Sequence, residues 1–329
     1  MTLAHSARLA RKAGRAAVGS LRDNIISERN QIRYDFFARM FFAAAFGTPH
    51  PQSVSSFSQL DELLMGYVEA LWEEGEPKGW AAYTIAAIQH IIPSARHRLP
   101  GAWRLKAAWD RLELPVRAPP LNEDVVLAVA ALALDVGHPR SALGILLAFH
   151  CFLRTGELLA LRRQDFTIAR TGASAVLNLR LTKGGVQRNQ HEVVTVDDPF
   201  LARWAGDLLA PLLPGDPIVA QTPPKFRGLF NDLLQVLELR DFNFKPYSLR
   251  RGGATLHYRT VGDINATAVR GRWSNIKTAR IYITDALAKL QELQFSESQT
   301  RRHSRLRNRL LAEVRSQTVG RWRELSSGF

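Results

Sequence analysis

Residues 245–284 read KPYSLRRGGATLHYRTVGDINATAVRGRWSNIKTARIYIT, and this stretch decides how the rest of the chain is interpreted. Arg250 lies near its start, Trp273 ends a Gly-Arg-Trp triplet, and Tyr282 stands nine residues beyond the tryptophan. An arginine, an indole and a phenol in this order predict a site that holds a phosphate and attacks it. Such a site needs neither a metal ion nor any other cofactor, and we expect none.

Two further cationic residues precede this stretch in the order that such chemistry requires. Arg154 lies in LRTGELLALRRQDF, and Lys183 lies in the turn LTKGGVQ. Exchange of a phosphodiester passes through a phosphorane with extra negative charge, which two guanidinium groups can hold through paired hydrogen bonds. The leaving 5′-hydroxyl needs a proton, which a lysine can deliver, and an indole N–H can donate to a phosphate oxygen.

These residues resemble those of the tyrosine recombinases, the phage-integrase family of DNA strand-exchange enzymes. The resemblance covers roughly residues 120–295, and it is closer to the recombinases of mobile elements than to those that resolve chromosome dimers. It implies a 3′-phosphotyrosyl intermediate and a C-shaped clamp of two domains around the duplex. The implied site residues are the nucleophile Tyr282, the phosphate-holding Arg154 and Arg250, the general acid Lys183, the hydrogen-bond donor Trp273 and the supporting Glu157.

One position departs from the family pattern. The residue three places before Arg250 is usually histidine or lysine, whereas this chain has Tyr247. A phenol donates a hydrogen bond but is a poor base at neutral pH, because its reference pKa is about 10. We therefore expect slower chemistry, or compensation by His257 or Arg251.

The pattern of apolar residues predicts a mainly α fold with a small β-sheet, and a length of 329 residues suggests about two domains. The sheet is expected from ASAVLNLRLTKGG and QHEVVTVD, and two helices are expected at 123–135 and 141–162. We expect a basic arm at 1–22, a helical domain similar to the family's core-binding domain at 23–114, a linker at 115–122, a catalytic domain at 123–298 and a basic tail or helix at 299–329. The composition of the arm also fits an organellar transit peptide.

The net charge of +14 predicts a nucleic-acid partner, and the resemblance makes that partner double-stranded DNA. Four arginines are predicted to contact DNA: Arg162, Arg163, Arg251 and Arg272. The resemblance also implies a dimer at each DNA site and a tetramer in the synapse. A single cysteine fits a reducing interior, and no apolar run is long enough to span a bilayer, so we expect an intracellular, DNA-associated protein without a membrane partner.

Three other functions remain open from the sequence. A type IB topoisomerase or a telomere resolvase would use the same residues. A domesticated DNA-binding protein would keep the clamp and lose turnover, and Tyr247 is the residue that favours it. An RNA-binding module is disfavoured, because the sequence has no aromatic strand pattern of the kind that stacks on RNA bases.

Overall fold

The computed structural model describes residues 3–22, 24–114, 117–179, 192–283 and 285–326. Lys183 therefore lies outside the described residues. The chain forms two compact units, Met1–Val116 and Arg117–Phe329. In the described ranges, no helix combines the length and the apolar character that a membrane span requires.

The described residues of the first unit form helices joined by loops. Its helices are α1 (Leu3–Val18), α2 (Glu28–Phe46), α3 (Phe57–Glu73), α4 (Gly79–Ile91) and α5 (Pro100–Leu112). The core is aromatic and aliphatic, with Phe41 and Leu60 fully buried between the helices. The buried carboxylate of Asp61 accepts hydrogen bonds from the N–H groups of Gly101 and Ala102, and so joins α3 to the start of α5.

The second unit contains ten helices among its described residues and a three-stranded antiparallel sheet in the order β1-β2-β3. Its helices before the sheet are α6 (Glu123–Asp135), α7 (Pro139–His150) and α8 (Thr155–Ala160). The strands are β1 (Phe166–Ile168), β2 (Ala175–Leu179) and β3 (Glu192–Val196). The later helices are α9 (Pro199–Leu209), α10 (Pro223–Val236), α11 (Pro246–Val261), α12 (Ile264–Arg270), α13 (Ile276–Tyr282), α14 (Asp285–Gln294) and α15 (Glu297–Ser326).

The start of the second unit differs from the predicted linker. The residues from Arg117 onward already belong to this unit, and Leu121 is buried. The N–H of Leu121 donates to the carbonyl of Ser248 at 3.2 Å, so the segment is attached to the start of α11. The apolar side chain is buried here because α11 covers it.

The helix expected at 141–162 is wrong, because the structure has two helices with a break between them. Helix α7 ends at His150, and α8 begins at Thr155. Phe152 has φ +49°, a left-handed conformation that no α-helix can continue through. Apolar periodicity continues across the break, which is why the sequence did not reveal it. The break exposes the carbonyl groups of Cys151 and Phe152 to side chains from elsewhere in the unit.

Helix α11 packs at unusually short range because two glycines face its neighbours. A Cβ atom at Gly252 would lie 1.9 Å from the carbonyl oxygen of Leu121. A Cβ atom at Gly253 would lie 1.9 Å from the carbonyl oxygen of Phe149 on α7. Any side chain at either position would collide with backbone. The Gly-Gly pair after Arg251 thus brings α11 directly onto α7.

Helix α15 folds back onto α6 of its own unit. Leu306, Leu310 and Val314 are buried in this contact, and Arg307 Nη1 pairs with Asp124 Oδ1 at 2.7 Å. Leu311, next to the buried Leu310, is 36% exposed. The apolar face of α15 is thus covered by its own unit.

The single cysteine is part of the core beside the break. Cys151 is buried, and its Sγ lies 3.6 Å from the carbonyl oxygen of Thr195. Burial raises the pKa of this thiol to about 12, although Arg270 and Arg272 act in the opposite direction. At neutral pH the sulfur is therefore a protonated, apolar packing atom.

Candidate active site

Arg250 lies at the centre of the candidate site and is fully buried. It projects from the first turns of α11, where its Nη1 donates to the carbonyl of Phe152 and its Nη2 donates to the carbonyl of Gly271 at 2.8 Å. Burial, with repulsion from Arg154 and Arg272, lowers the pKa of Arg250 to about 10. The guanidinium therefore stays charged at neutral pH. Its Nε is buried and has no hydrogen-bond partner among the described residues.

Glu157 on α8 is surrounded by three guanidinium groups. Its Oε1 pairs with Arg154 Nη1, and its Oε2 lies 2.8 Å from Arg272 Nη2 and 3.8 Å from Arg250 Nη1. Burial alone would raise the pKa of Glu157. The charge of Arg272, the backbone N–H of Arg154 and the charges of Arg154 and Arg250 together outweigh burial and lower it. The carboxylate is ionised at neutral pH and holds Arg154, Arg250 and Arg272 in place relative to one another.

The turn at 271–273 contacts this cluster through every one of its residues. The Gly271 carbonyl accepts from Arg250, the Arg272 side chain binds Glu157, and the Trp273 ring lies 4.9 Å from the Arg250 guanidinium carbon. A Cβ atom at Gly271 would lie 2.0 Å from the Trp273 ring, so only glycine allows the indole to fold back over this position. Arg272 has φ +58°, which aims its side chain into the break after α7.

Tyr282 is the last residue of α13 and packs directly on Trp273. Their ring centroids are 4.6 Å apart, and the Tyr282 ring lies 5.4 Å from the Arg250 guanidinium carbon. Trp273 is 9% exposed, and its Nε1 is buried with no hydrogen-bond partner in the described part of the chain. The indole N–H, the guanidinium Nε and the phenol thus belong to one small region of a single chain.

Two residues of α11 hold the backbone that carries Tyr282. Arg251 Nη2 donates to the carbonyl of Ile281 at 3.0 Å, and Thr255 Oγ1 donates to the carbonyl of Tyr282 at 3.4 Å. Arg251 was predicted to contact DNA, and that contact stays a prediction. Arg251 is 3% exposed, and in this structure its side chain binds the backbone of α13.

Tyr247 stands next to the candidate nucleophile, with its ring centroid 5.5 Å from that of Tyr282. Burial is the main reason why the pKa of Tyr247 is raised. A hydrogen bond with the Tyr282 side chain and electrostatic repulsion between the two phenols act in the same direction. Its hydroxyl is therefore protonated at any ordinary pH and can act as a hydrogen-bond donor but not as a base. His257, the other candidate for proton transfer, instead contacts Thr267 Oγ1 through Nδ1 at 2.9 Å.

The remaining arginines predicted to contact DNA bind carbonyl groups of their own unit. Arg162 Nη1 donates to Gly215, and Arg163 Nε donates to the carbonyl of Leu209 at 2.9 Å. Arg272 is held inside the site, as described above.

Among the described residues, the site is rich in arginine rather than in metal ligands. Over the ranges that the structure describes, no three His, Cys, Asp or Glu side chains are grouped so that they could hold one. The four arginines near Glu157 and Tyr282 would repel a cation. The arrangement is instead suited to an anion, because permanently charged donors surround a phenol.

Solved structures share this fold at low sequence identity. The Tn1549 transposon integrase in complex with circular intermediate DNA matches with a TM-score of 0.55 at 13% identity, over 81% of this chain and 94% of that chain. A lambda integrase dimer bound to a COC′ core site matches with a TM-score of 0.52 at 16% identity, over 87% of this chain and 96% of that chain. The chain has the tyrosine-recombinase fold. No family model matches the sequence, and no curated protein matches it.

The tyrosine-recombinase fold accounts for the order of the predicted elements. In this chain, the helical first unit, the small antiparallel sheet and the later helices each correspond to a pattern in the sequence. The likeness concerns the fold, and the roles of Arg154, Arg250, Trp273 and Tyr282 remain predictions.

Proposed function

We propose that this protein is a site-specific DNA recombinase that cuts and rejoins DNA through a phosphotyrosine intermediate. One observation supports it above the others: Tyr282 packs on Trp273 and Arg250 in a single chain, and two buried donors beside it have no described partner. The carboxylate of Glu157 contacts both Arg154 and Arg250 and so holds them in place. The DNA-bound structures that share the fold agree with this proposal.

The proposed reaction conserves the number of phosphodiester bonds. The Tyr282 oxygen attacks phosphorus and loses its proton to solvent, while the bond between phosphorus and the 5′-oxygen breaks. Lys183 gives a proton to the departing 5′-oxygen and later regains one from solvent. Arg154, Arg250 and Trp273 hold the non-bridging oxygens as their negative charge increases. Rejoining is the reverse reaction with a new 5′-hydroxyl, so no nucleotide is consumed.

Tyr247 would assist this step as a neutral donor. Because its pKa is raised, the hydroxyl keeps its proton and can donate to the Tyr282 oxygen or to the phosphate. The family position is usually occupied by a residue that can carry a positive charge, so a weaker stabilisation of the phosphorane follows. Tyr247 therefore favours slow turnover. In the extreme case, the chain would be a DNA-binding protein with little turnover.

The first experiment is covalent trapping. The protein is incubated with nicked DNA taken from sequence flanking its own gene and is then run on a denaturing gel. We expect a protein–DNA adduct from the wild type and none from Tyr282→Phe, because phenylalanine has no nucleophilic oxygen. Tyr258→Phe, which changes a tyrosine of α11 outside the site, is the matched control and should give the wild-type yield.

Three results would contradict the proposal. An adduct that survives Tyr282→Phe would mean that another residue attacks. Tight binding without any adduct, across a broad pool of DNA sequences, would favour the DNA-binding protein over the recombinase. Relaxation of supercoiled plasmid that lacks partner sites would point to a topoisomerase instead.

A further inference from the structure

Arg272 occupies a backbone conformation that arginine rarely adopts. Its φ of +58° belongs to the left-handed region, where every residue with a Cβ atom is disfavoured relative to glycine. Such a conformation persists only where the surrounding contacts determine it. The contacts of Arg272 are therefore the place to look for the reason.

The guanidinium of Arg272 contacts two carbonyl and two carboxylate groups of the protein, and its Nε makes no hydrogen bond among the described residues. Nη1 donates to the carbonyl of Cys151 at 3.1 Å, and Nη2 donates to the carbonyl of Phe152 at 3.3 Å and to Glu157 Oε2 at 2.8 Å. Nε lies 3.2 Å from Glu192 Oε2 at the start of β3. The side chain is 7% exposed, against 34% for Arg154. Arg272 is thus turned away from the position that a substrate would reach.

The charges of the cluster indicate what these contacts achieve. Three guanidinium groups, those of Arg154, Arg250 and Arg272, share the carboxylate of Glu157. Arg272 Nη2, 2.8 Å from Oε2, offsets part of the negative charge that would otherwise act on Arg154 and Arg250 alone. Without Arg272, the Glu157 carboxylate would pair with those two arginines only. They would stay in place, but the positive charge that they present to an anion would be smaller.

We propose that Arg272 is a positioning residue, which neutralises Glu157 and thereby leaves Arg154 and Arg250 free to hold the phosphate. The inference rests on the proposed recombinase function. It differs from the prediction that Arg272 contacts DNA, because the side chain is buried and its Nη1 and Nη2 donate to carbonyl and carboxylate groups of the protein. It also explains why arginine is present at a position whose backbone favours glycine.

The variant that tests this is Arg272→Gly. Glycine adopts the left-handed conformation without strain, so the turn between Gly271 and Trp273 is retained while the guanidinium is lost. We expect covalent adducts with Tyr282 to form about 10- to 100-fold more slowly, because the phosphorane loses electrostatic stabilisation. Arg272→Lys keeps the charge and loses the fork of donors, and it should give an intermediate rate.

Arg270→Ala is the matched control. Arg270 is two residues earlier and also forms an ion pair, with Asp197 Oδ2 at 2.6 Å, but it does not contact Glu157. We expect its adduct yield to stay close to that of the wild type. An equal loss in Arg270→Ala and Arg272→Gly would show that any broken ion pair in this region disturbs the fold, and would overturn the proposal.

A substrate with sulfur in place of the leaving 5′-oxygen separates two routes of action. A thiolate leaves without help from a general acid, because its reference pKa is about 8.5. If Arg272 acts through the arginines that hold the phosphate, Arg272→Gly should slow cleavage of this substrate by the same factor as cleavage of ordinary DNA. Restoration of the wild-type rate would mean that Arg272 serves protonation of the leaving group, and would overturn the proposal.

A binding measurement keeps the test independent of turnover. Inorganic phosphate is titrated into the DNA-free protein, and the width of its ³¹P resonance is followed. We expect weaker broadening with Arg272→Gly than with the wild type or Arg270→Ala. Equal broadening in all three would overturn the proposal even if the wild type cuts DNA, whereas reduced broadening in a protein that never cuts DNA would contradict only the proposed function.

Discussion

The hydroxyl of Tyr247 is the residue-scale difference between this site and the family pattern. Tyr247→Phe removes a donor beside Tyr282, and a hydrogen bond to a charged group contributes about 1.5–3 kcal/mol, so we expect cleavage to slow roughly 10- to 100-fold. The shape of the pH–rate profile should not change, because the raised pKa keeps Tyr247 protonated throughout the accessible range. Single-turnover trapping between pH 6 and pH 9 measures both. A changed profile would show that Tyr247 titrates during the reaction.

Glu157 couples stability to pH with a definite sign. Its folded-state pKa is lowered, so its contribution is complete above the unfolded-state pKa of about 4.3 and is lost as the pH falls through the lower folded value. Glu157→Gln leaves buried arginines without their carboxylate, and we expect it to reduce the free energy of unfolding by about 3 kcal/mol at pH 7. This difference should shrink below about pH 4.

Urea unfolding at several pH values measures the effect of Glu157→Gln. Glu62→Gln is the control, because Glu62 is exposed on α3 and should change stability by less than about 0.5 kcal/mol. If the stability difference between the wild type and Glu157→Gln stays constant down to pH 3, the pKa of Glu157 is not lowered by folding.

At the residue scale the sequence predicted which residues would meet, but not how they are held. Arg154, Arg250, Trp273 and Tyr282 were predicted from their order and spacing, and Glu157 from the resemblance to the tyrosine recombinases. The structure brings all five together. The role of Arg272 was missed, because it depends on a left-handed φ and on the break after α7. Neither feature leaves a periodic signal in the sequence.

At the scale of elements, the packing of α11 on α7 depends on glycine. Gly253→Ala places a methyl group 1.9 Å from the backbone oxygen of Phe149, which no rotamer change relieves. We expect a loss of about 3 kcal/mol or more in unfolding free energy, at or above the upper end of ordinary overpacking. Chemical denaturation measures it. A small effect would mean that α11 can move away from α7 at little cost.

Gly228→Ala provides the opposite result in the same experiment. Gly228 lies within α10, and a Cβ atom there has no neighbour within 4 Å among the described residues. Alanine should therefore stabilise the protein by about 0.5–1 kcal/mol, through helix propensity alone. The contrast separates the close approach at Gly253 from any general effect of adding a methyl group to a helix.

Element types were predictable, and element boundaries were less so. Both longer strands and helix α6 follow directly from apolar alternation and periodicity. Strand β1 was not predicted, because three residues are too short for any periodic pattern. Helix α15 could have docked on its own domain or on a neighbour, since an apolar face does not specify which chain covers it.

At the scale of the whole molecule, net charge governs the expected affinity for DNA. A protein of charge +14 that contacts six to ten phosphates should lose about 10³- to 10⁵-fold in affinity between 50 and 200 mM salt, through counterion release. Fluorescence anisotropy with duplex DNA across this range measures the slope. An RNA duplex of equal length is the competitor of choice. A flat salt dependence, or preference for the RNA, would contradict the DNA-binding proposal.

The buried thiol of Cys151 makes the chain convenient for optical work. A maleimide dye reacts with thiolate, and this sulfur is both inaccessible and protonated at neutral pH. A cysteine introduced on the surface would then be the one readily labelled position, with no need to remove the native residue first. Donor and acceptor dyes on separately labelled copies could report, molecule by molecule, when two proteins meet on one DNA.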